Sequence, residues 1–167
     1  MKEIIQNLVR YNTWANTRYS RWIKSLPIEV LDKEVSSSYN TLTKTLGHII
    51  DAQQFWILFL KDAIYTSYQW NNCKTYSPTL FTSFMESTIQ FEECCNSFTE
   101  LDLQVKRKFE TTWANNELAL GNYIIHTINH NSYHRGQIVT MAHQLEHTDN
   151  IPHTEYSFYL RDIVLQK

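Results

Sequence analysis

Tyr123–Leu145, YIIHTINHNSYHRGQIVTMAHQL, decides how the rest of the chain is read. Apolar residues are threaded through it at the spacing of a buried helix face, and His126, His130 and His134 recur at four-residue intervals. On a helix, successive rings of such a ladder lie about 40° apart around the axis and stack on one face. With 7 histidines in 167 residues, chance supplies on the order of 0.01 triplets at this spacing. Composition does not account for the ladder.

Two imidazoles at i and i+4 can aim their nitrogens at one point, the geometry that paired histidines of zinc helices exploit. Spacing supplies only two ligands, and a tetrahedral or octahedral first-row metal needs at least a third from elsewhere. Outside this helix and its tail the chain offers one histidine, His48, within a second helical stretch, TLGHIIDAQQFWILFL. His48, His130 and His134 form a testable triad.

Length and composition narrow the remaining choices. The 167 residues fit one domain, 1–167, and 43% hydrophobic content with 14% aromatic supplies a single core. Three glycines and three prolines leave room for long helices and argue against a many-turned sandwich or barrel. A net charge of −2 with interspersed signs gives no polybasic face, so nucleic acid is not an expected partner. Cys73, Cys94 and Cys95 show no CxxC spacing, and bridging adjacent Cys94 and Cys95 would strain the ring. They read as reduced thiols of a cytoplasmic protein. The N-terminal MKEIIQNLVRYNTW lacks the apolar core of a signal peptide, and the longest apolar run, FWILFL at 55–60, is too short to span a bilayer. No membrane association is expected.

Taken in order, periodicity predicts a helix from Lys2 to about Leu26, with Ile4, Ile5, Leu8, Tyr11, Ala15, Tyr19, Trp22 and Ile23 on its apolar stripe. Pro27 stops it. After a Ser-rich connection, Asn40 or Thr41 caps a second helix that runs to about Tyr65. Ser77 and Pro78 suit the cap and first position of a third, extending to about Leu101, with Leu80, Phe84, Phe91, Cys95, Phe98 and Leu101 buried. Val105, Phe109 and Trp113 alternate with polar residues at period two, which predicts a short extended arm. Asn115 and Asn116 then cap the ladder helix from about Glu117 to Glu146, and the tail 153–167 is expected to close the fold with a short helix packing Tyr156, Phe158, Tyr159 and Leu160. Four long helices indicate an all-α four-helix bundle. Periodicity alone does not choose between up-down-up-down and up-up-down-down order.

The run HTINHNSYHRGQIVTM, with His48 upstream in LGHIIDAQQFW, a tryptophan in the first helix and the aromatic tail FYLR, closely resembles the DinB family of damage-inducible proteins and proposed metalloenzymes. The similarity covers essentially the whole chain. It implies a bundle in up-up-down-down order, frequently a homodimer, holding one divalent ion, nickel or zinc, on residues matching His48, His130 and His134. About reaction it implies less: some relatives are thiol-dependent S-transferases or isomerases using low-molecular-weight thiols, others resemble metal-dependent hydrolases, and many have no assigned activity. A small molecule, a low-molecular-weight thiol among the candidates, is the expected partner.

Di-iron carboxylate bundles need Glu-x-x-His pairs and further inward glutamates, whereas Glu86, Glu92 and Glu93 have no histidine three residues on. A mononuclear ion on neutral imidazoles is the favoured reading, and a non-catalytic metal-binding stress-response protein is the alternative to an enzyme. His126 is read as a base behind the ligands or a wall of the pocket, with a fourth-ligand role left open. A lone histidine on an apolar face is more often structural, and for His48 it is the resemblance that tips the balance. Asp51 and Gln137 can reach the faces that carry His48 and His134, but each is read as a polar neighbour. Arg135 is assigned a structural pairing with an acid on the next helix rather than a clamp on an anionic substrate, and Gly136 a close helix approach. His143, His147 and His153 read as solvated, and Trp14, Trp22 and Trp56 as core, with one of them able to line a pocket mouth. The cysteines read as inert, and no catalytic residue is assigned.

Overall fold

Lys2–Lys24 forms α1 in the computed structural model, which describes residues 1–70 and 73–164. Its apolar stripe buries Ile5, Val9, Ala15, Tyr19, Trp22 and Ile23, whereas Ile4 is exposed. A four-residue α2, Ile28–Leu31, follows Pro27. Helix α3, Leu42–Leu60, is capped by Thr41, whose hydroxyl accepts the Lys44 N–H. It stops five residues before the expected Tyr65. Asp62 adopts φ 58°, its N–H reaches the Phe59 carbonyl, and the Ala63 N–H reaches that of Leu58. That pair of bonds is a Schellman stop built on a non-glycine residue.

Helix α4, Leu80–Asn96, starts after Ser77, whose hydroxyl bonds Thr79 rather than a helical N–H. It ends before Leu101, which is exposed instead of buried. The cause is a local restart: Thr99 and Asp102 exchange backbone and side-chain bonds as a capping box, opening a 3-10 turn over Asp102–Gln104. The expected arm is strand β1, Lys106–Glu110, and it has a partner the periodicity did not reveal. Asn115–Ala119 forms β2, antiparallel to β1 with Phe109 opposite Asn116. Asn115 and Asn116 are therefore strand residues, and α5 begins later than expected, at Leu120, running to Gln144. Helix α6, Tyr156–Val164, packs through Tyr159 against Tyr11 and Trp14, while Leu160 faces solvent. The last three residues of the predicted tail, 165–167, lie outside the described residues.

Helices α1 and α3 each pack on both α4 and α5, and the core divides into two apolar clusters. One gathers Val9, Phe55, Phe91 and Ile128; the other gathers Tyr19, Ile49, Phe84 and Ile138. Following these clusters along each helix gives direction: α1 and α5 run from the first to the second, α3 and α4 from the second to the first. The order is up-down-down-up. The up-up-down-down expectation fails because the crossing connection is not the one between α1 and α3. The connection's described residues, 61–70 and 73–79, instead lie along α3, so close to Gly47 that a Cβ there would stand 2.8 Å from the Cys73 nitrogen.

Between the clusters lies a polar layer. Asn12, Asn16, Gln53, Ser87, Thr88, Asn131 and Arg135 are all buried there. Arg135 is 2% exposed and donates to Asn12 Oδ1 (2.9 Å), Asn16 Oδ1 (2.7 Å) and Ser132 Oγ (2.7 Å). Its role is structural, as expected, but its hydrogen-bond partners are neutral rather than acidic. Gly136 has open space where a Cβ would stand, so no close helix approach depends on it. No helix among the described residues is long and apolar enough to cross a membrane.

Candidate metal centre

The polar layer is where α3 and α5 bring the predicted triad together. His48 stands between Leu46 and Ile49 of the buried face of α3, and His130 and His134 occupy successive turns of α5. One ligand atom from each lies within 4.8 Å of the others. His48 Nε2 and His130 Nε2 are 2.9 Å apart, and the ring of His134 lies edge-on to both, 4.6 Å from His48 and 4.4 Å from His130. At 2.9 Å one of these two nitrogens can donate to the other when it carries the proton. Zinc bonds of about 2.0–2.1 Å would set tetrahedral donors about 3.3 Å apart, a spacing that lies between the 2.9 Å of the His48–His130 pair and the 4.8 Å that bounds all three ligand atoms. The all-imidazole donor set fits a first-row divalent ion.

Outer partners orient these rings. His134 Nδ1–H donates to Gln137 Oε1 at 2.7 Å, which leaves Nε2 as the free lone pair. Gln137 is itself held, its Nε2 donating to Ser38 Oγ and the Tyr133 hydroxyl, both at 3.0 Å. On the other side, the Tyr39 hydroxyl lies 2.8 Å from His48 Nδ1, and its ring stacks on the imidazole at 4.3 Å. Such second contacts set tautomer and ring angle in metal sites. Gln137 is thus more than the polar neighbour the sequence suggested, and Tyr39 was not singled out at all. Asp51 meets the other expectation for a neighbour, accepting a hydrogen bond from the Tyr68 hydroxyl at 3.0 Å.

Electrostatics favour neutral rings. Burial, reinforced by the neighbouring His134, pushes the His48 imidazole down to about 4. Burial and the facing His134, His48 and His126 push His130 to about 3. Burial also lowers His134, with the Gln137 bond opposing it. Neutral imidazole is the ligand form, so the cluster is ready for a cation at neutral pH. Burial raises the thiols of Cys73, Cys94 and Cys95, which keeps them protonated and unreactive, as the sequence suggested.

His48 and His130 form the floor of an open cleft of about 460 Å³. His126 stands in its wall, 5.1 Å from the Trp56 ring and 6.1 Å from His130, so it faces the pocket rather than the point where the three donors meet. Trp56 lines the cleft, while Trp22 is core and Trp14 packs on Tyr159. Two further wall residues, Trp70 and Trp113, come from loops and escaped a reading based on helical periodicity. His143 and His153 are exposed and His147 half-buried, away from the cluster.

A mainly helical protein with three imidazoles from two helices at the foot of a cleft is the class these features define. The model of the DinB family matches residues 1–161, and the chain belongs to that family. It is 27% identical over 173 residues to Protein DinB of Bacillus subtilis (strain 168), covering 96% of this chain and 95% of that one. The fold is similar to the crystal structure of a DinB-like protein from Bacillus cereus ATCC 10987. That similarity has a TM-score of 0.62 at 19% identity, over 82% of this chain and 87% of the other.

Proposed function

We propose that the protein is a metal-dependent enzyme in which His48, His130 and His134 hold one divalent ion, zinc or nickel. The observation that carries the reading is the convergence of three imidazoles from helices distant in sequence, with two of the rings forming the floor of a cleft open to small molecules. A structural ion is normally closed off by four protein ligands; here two of the three donors, His48 and His130, face an accessible space, which favours catalysis over the non-catalytic alternative. When bound, such an ion supplies Lewis acidity, lowering the pKa of a coordinated water toward ~7 or ionising a thiol. The chain's own contribution is orientation and exclusion. Gln137 keeps the inward nitrogen of His134 free, Tyr39 holds the His48 ring, and aromatic walls flank the reacting end. The reaction is accordingly a hydrolysis or a transfer to a low-molecular-weight thiol.

The same reading takes α1, α3, α4 and α5 as the four staves of a bundle, supported by the packing of α1 and α3 on both other helices. A homodimer and a cytoplasmic setting complete it, resting on the family. Metal analysis of untagged protein tests the centre. Near-stoichiometric zinc or nickel is expected, and its loss when both His130 and His134 become Ala. Metal that survives the double substitution refutes the site.

A further inference from the structure

Indole and phenyl rings make up most of the cleft above the three histidines. Phe55 and Trp56 come from α3, Trp70 from the 61–79 connection and Trp113 from the β1–β2 turn. Trp70 lies nearly parallel to His48, with ring centres 5.9 Å apart, and tilts on Phe55 at 5.2 Å. Trp113 meets Phe109 at 5.2 Å and Phe55 at 6.4 Å. Both indoles remain largely open to solvent, Trp70 41% and Trp113 62% exposed. Leaving two such rings in water forgoes the burial that normally places tryptophan inside. Their neighbours explain the position: each continues an aromatic wall that begins in the core.

The lining is informative for what it omits. Among the described residues, no lysine, arginine, aspartate or glutamate lines this cleft. A ligand bearing several charges would lose its hydration there and find no partner. A flat apolar body would instead be buried against rings that favour offset or edge-on stacking. At about 460 Å³ the space is in the lower part of the range for small-molecule sites, enough for one or two fused rings. The floor is different in kind, since it presents imidazole nitrogens and, on the reading above, a cation.

We infer that the cleft takes a compound with a flat aromatic body and a single donor group at one end, neutral or singly anionic, rather than a small polyionic metabolite. The donor faces His48 and His130, and the rings lie against Phe55, Trp70 and Trp113. The inference rests on the metal-dependent reading for its donor end only; the aromatic body is recognised by the walls alone.

Two ligand sets separate these parts. Benzohydroxamate and acetohydroxamate share a metal-binding head and differ in phenyl against methyl, while 2-naphthol presents a flat body with a weak head. Titration calorimetry on zinc-loaded protein is expected to give benzohydroxamate about tenfold tighter binding than acetohydroxamate, from apolar area buried. In the Trp70→Ala/Trp113→Ala double variant that preference should vanish while acetohydroxamate affinity holds. Both positions are in connections, so α3 and α5 keep their packing, and a circular-dichroism melt verifies this. 2-Naphthol should bind metal-free and zinc-loaded protein alike and lose at least tenfold in the double variant. Equal affinity of the two hydroxamates, or no binding of 2-naphthol to either form, overturns the inference. If the protein takes up no metal yet binds 2-naphthol through these indoles, the metal reading fails and the aromatic recognition stands.

Discussion

Replacing Gln137 with Ala removes the side chain that accepts the His134 Nδ1–H at 2.7 Å and leaves the coordinating nitrogen untouched. Loss of such a partner typically weakens metal binding ten- to a hundredfold. The structure points to the low end, because Gln137 is only half-buried and water can enter the space it vacates. About tenfold is about 1.4 kcal/mol. At saturating metal this amount is subtracted from the stabilisation that binding confers. For a chain of this size, at about 2–4 °C per kcal/mol, the melting temperature of the loaded protein should fall by about 3–6 °C relative to wild type. The metal-free melting temperature should barely move. Gln137→Glu should restore or exceed wild-type affinity, because a carboxylate accepts the same N–H more strongly and the Ser38 and Tyr133 hydroxyls can turn to donate to it. Competition with a chromophoric chelator measures Kd, and paired melts with and without zinc measure the linkage. Unchanged affinity in Gln137→Ala, or weaker binding in Gln137→Glu than in Gln137→Ala, would refute the proposed role of this contact.

Acid should affect metal uptake less than it affects ordinary histidine sites. At pH 5.5 three imidazoles titrating at 6.5 would lose several hundredfold in competent population; with His48 near 4 and His130 near 3, a loss under tenfold from pH 7 is expected by chelator competition. The same shifts set the stability of metal-free protein. The unfolded chain takes up protons from about 6.5 downward and the folded chain does not. Stability is therefore full above pH 6.5 and is lost as pH falls toward 4, so a melt at pH 5 no lower than at pH 7.5 would contradict the burial of these rings. Asn16→Ala should cost about 1.5–3 kcal/mol in chemical denaturation by depriving the buried Arg135 of its 2.7 Å acceptor, and a loss below 0.5 kcal/mol would contradict that role. Gly47→Ala would press a methyl against the Cys73 backbone. Overpacking of this kind typically costs about 1–3 kcal/mol, and the accompanying shift of the 61–79 connection should change Trp70 fluorescence; an unchanged spectrum and melt would count against that contact.

The site was legible in unequal parts. His130 and His134 could be paired from spacing alone, because helical geometry converts i, i+4 into a common face. His48 could not, since nothing in periodicity reports how one helix meets another, and the family resemblance supplied that link. Helix direction was hidden for the same reason: residues 25–41 and 61–79 are both long enough to cross, and only the positions of the two apolar clusters show which does. Boundaries failed where side chains serve two states. Asn115 and Asn116 suit a helix cap and equally suit an exposed strand, and β2 carries no alternation because its residues are nearly all exposed. Leu101 continued an apolar spacing that the Thr99–Asp102 box interrupts. Tyr39 and Trp70 had one readable mark, an aromatic residue set in a polar connection, and helix periodicity passes over it, while Trp113, read as part of the extended arm, stands in the turn beyond β1.

Arg135 follows His134 directly, yet the two residues meet different neighbours of α5, His134 through a ring contact with His48 and Arg135 through hydrogen bonds to Asn12 and Asn16. His134 faces α3 through groups that gain and lose protons. Arg135 reaches α1 through amide oxygens that do not, and its own charge is permanent. Acidification therefore acts on the two seams of one helix unequally: the seam with α3 comes under electrostatic pressure while the seam with α1 stays moored. If the domain loosens in acid, it should do so first between α3 and α5, at His48 and His130, while α1 stays held to α5.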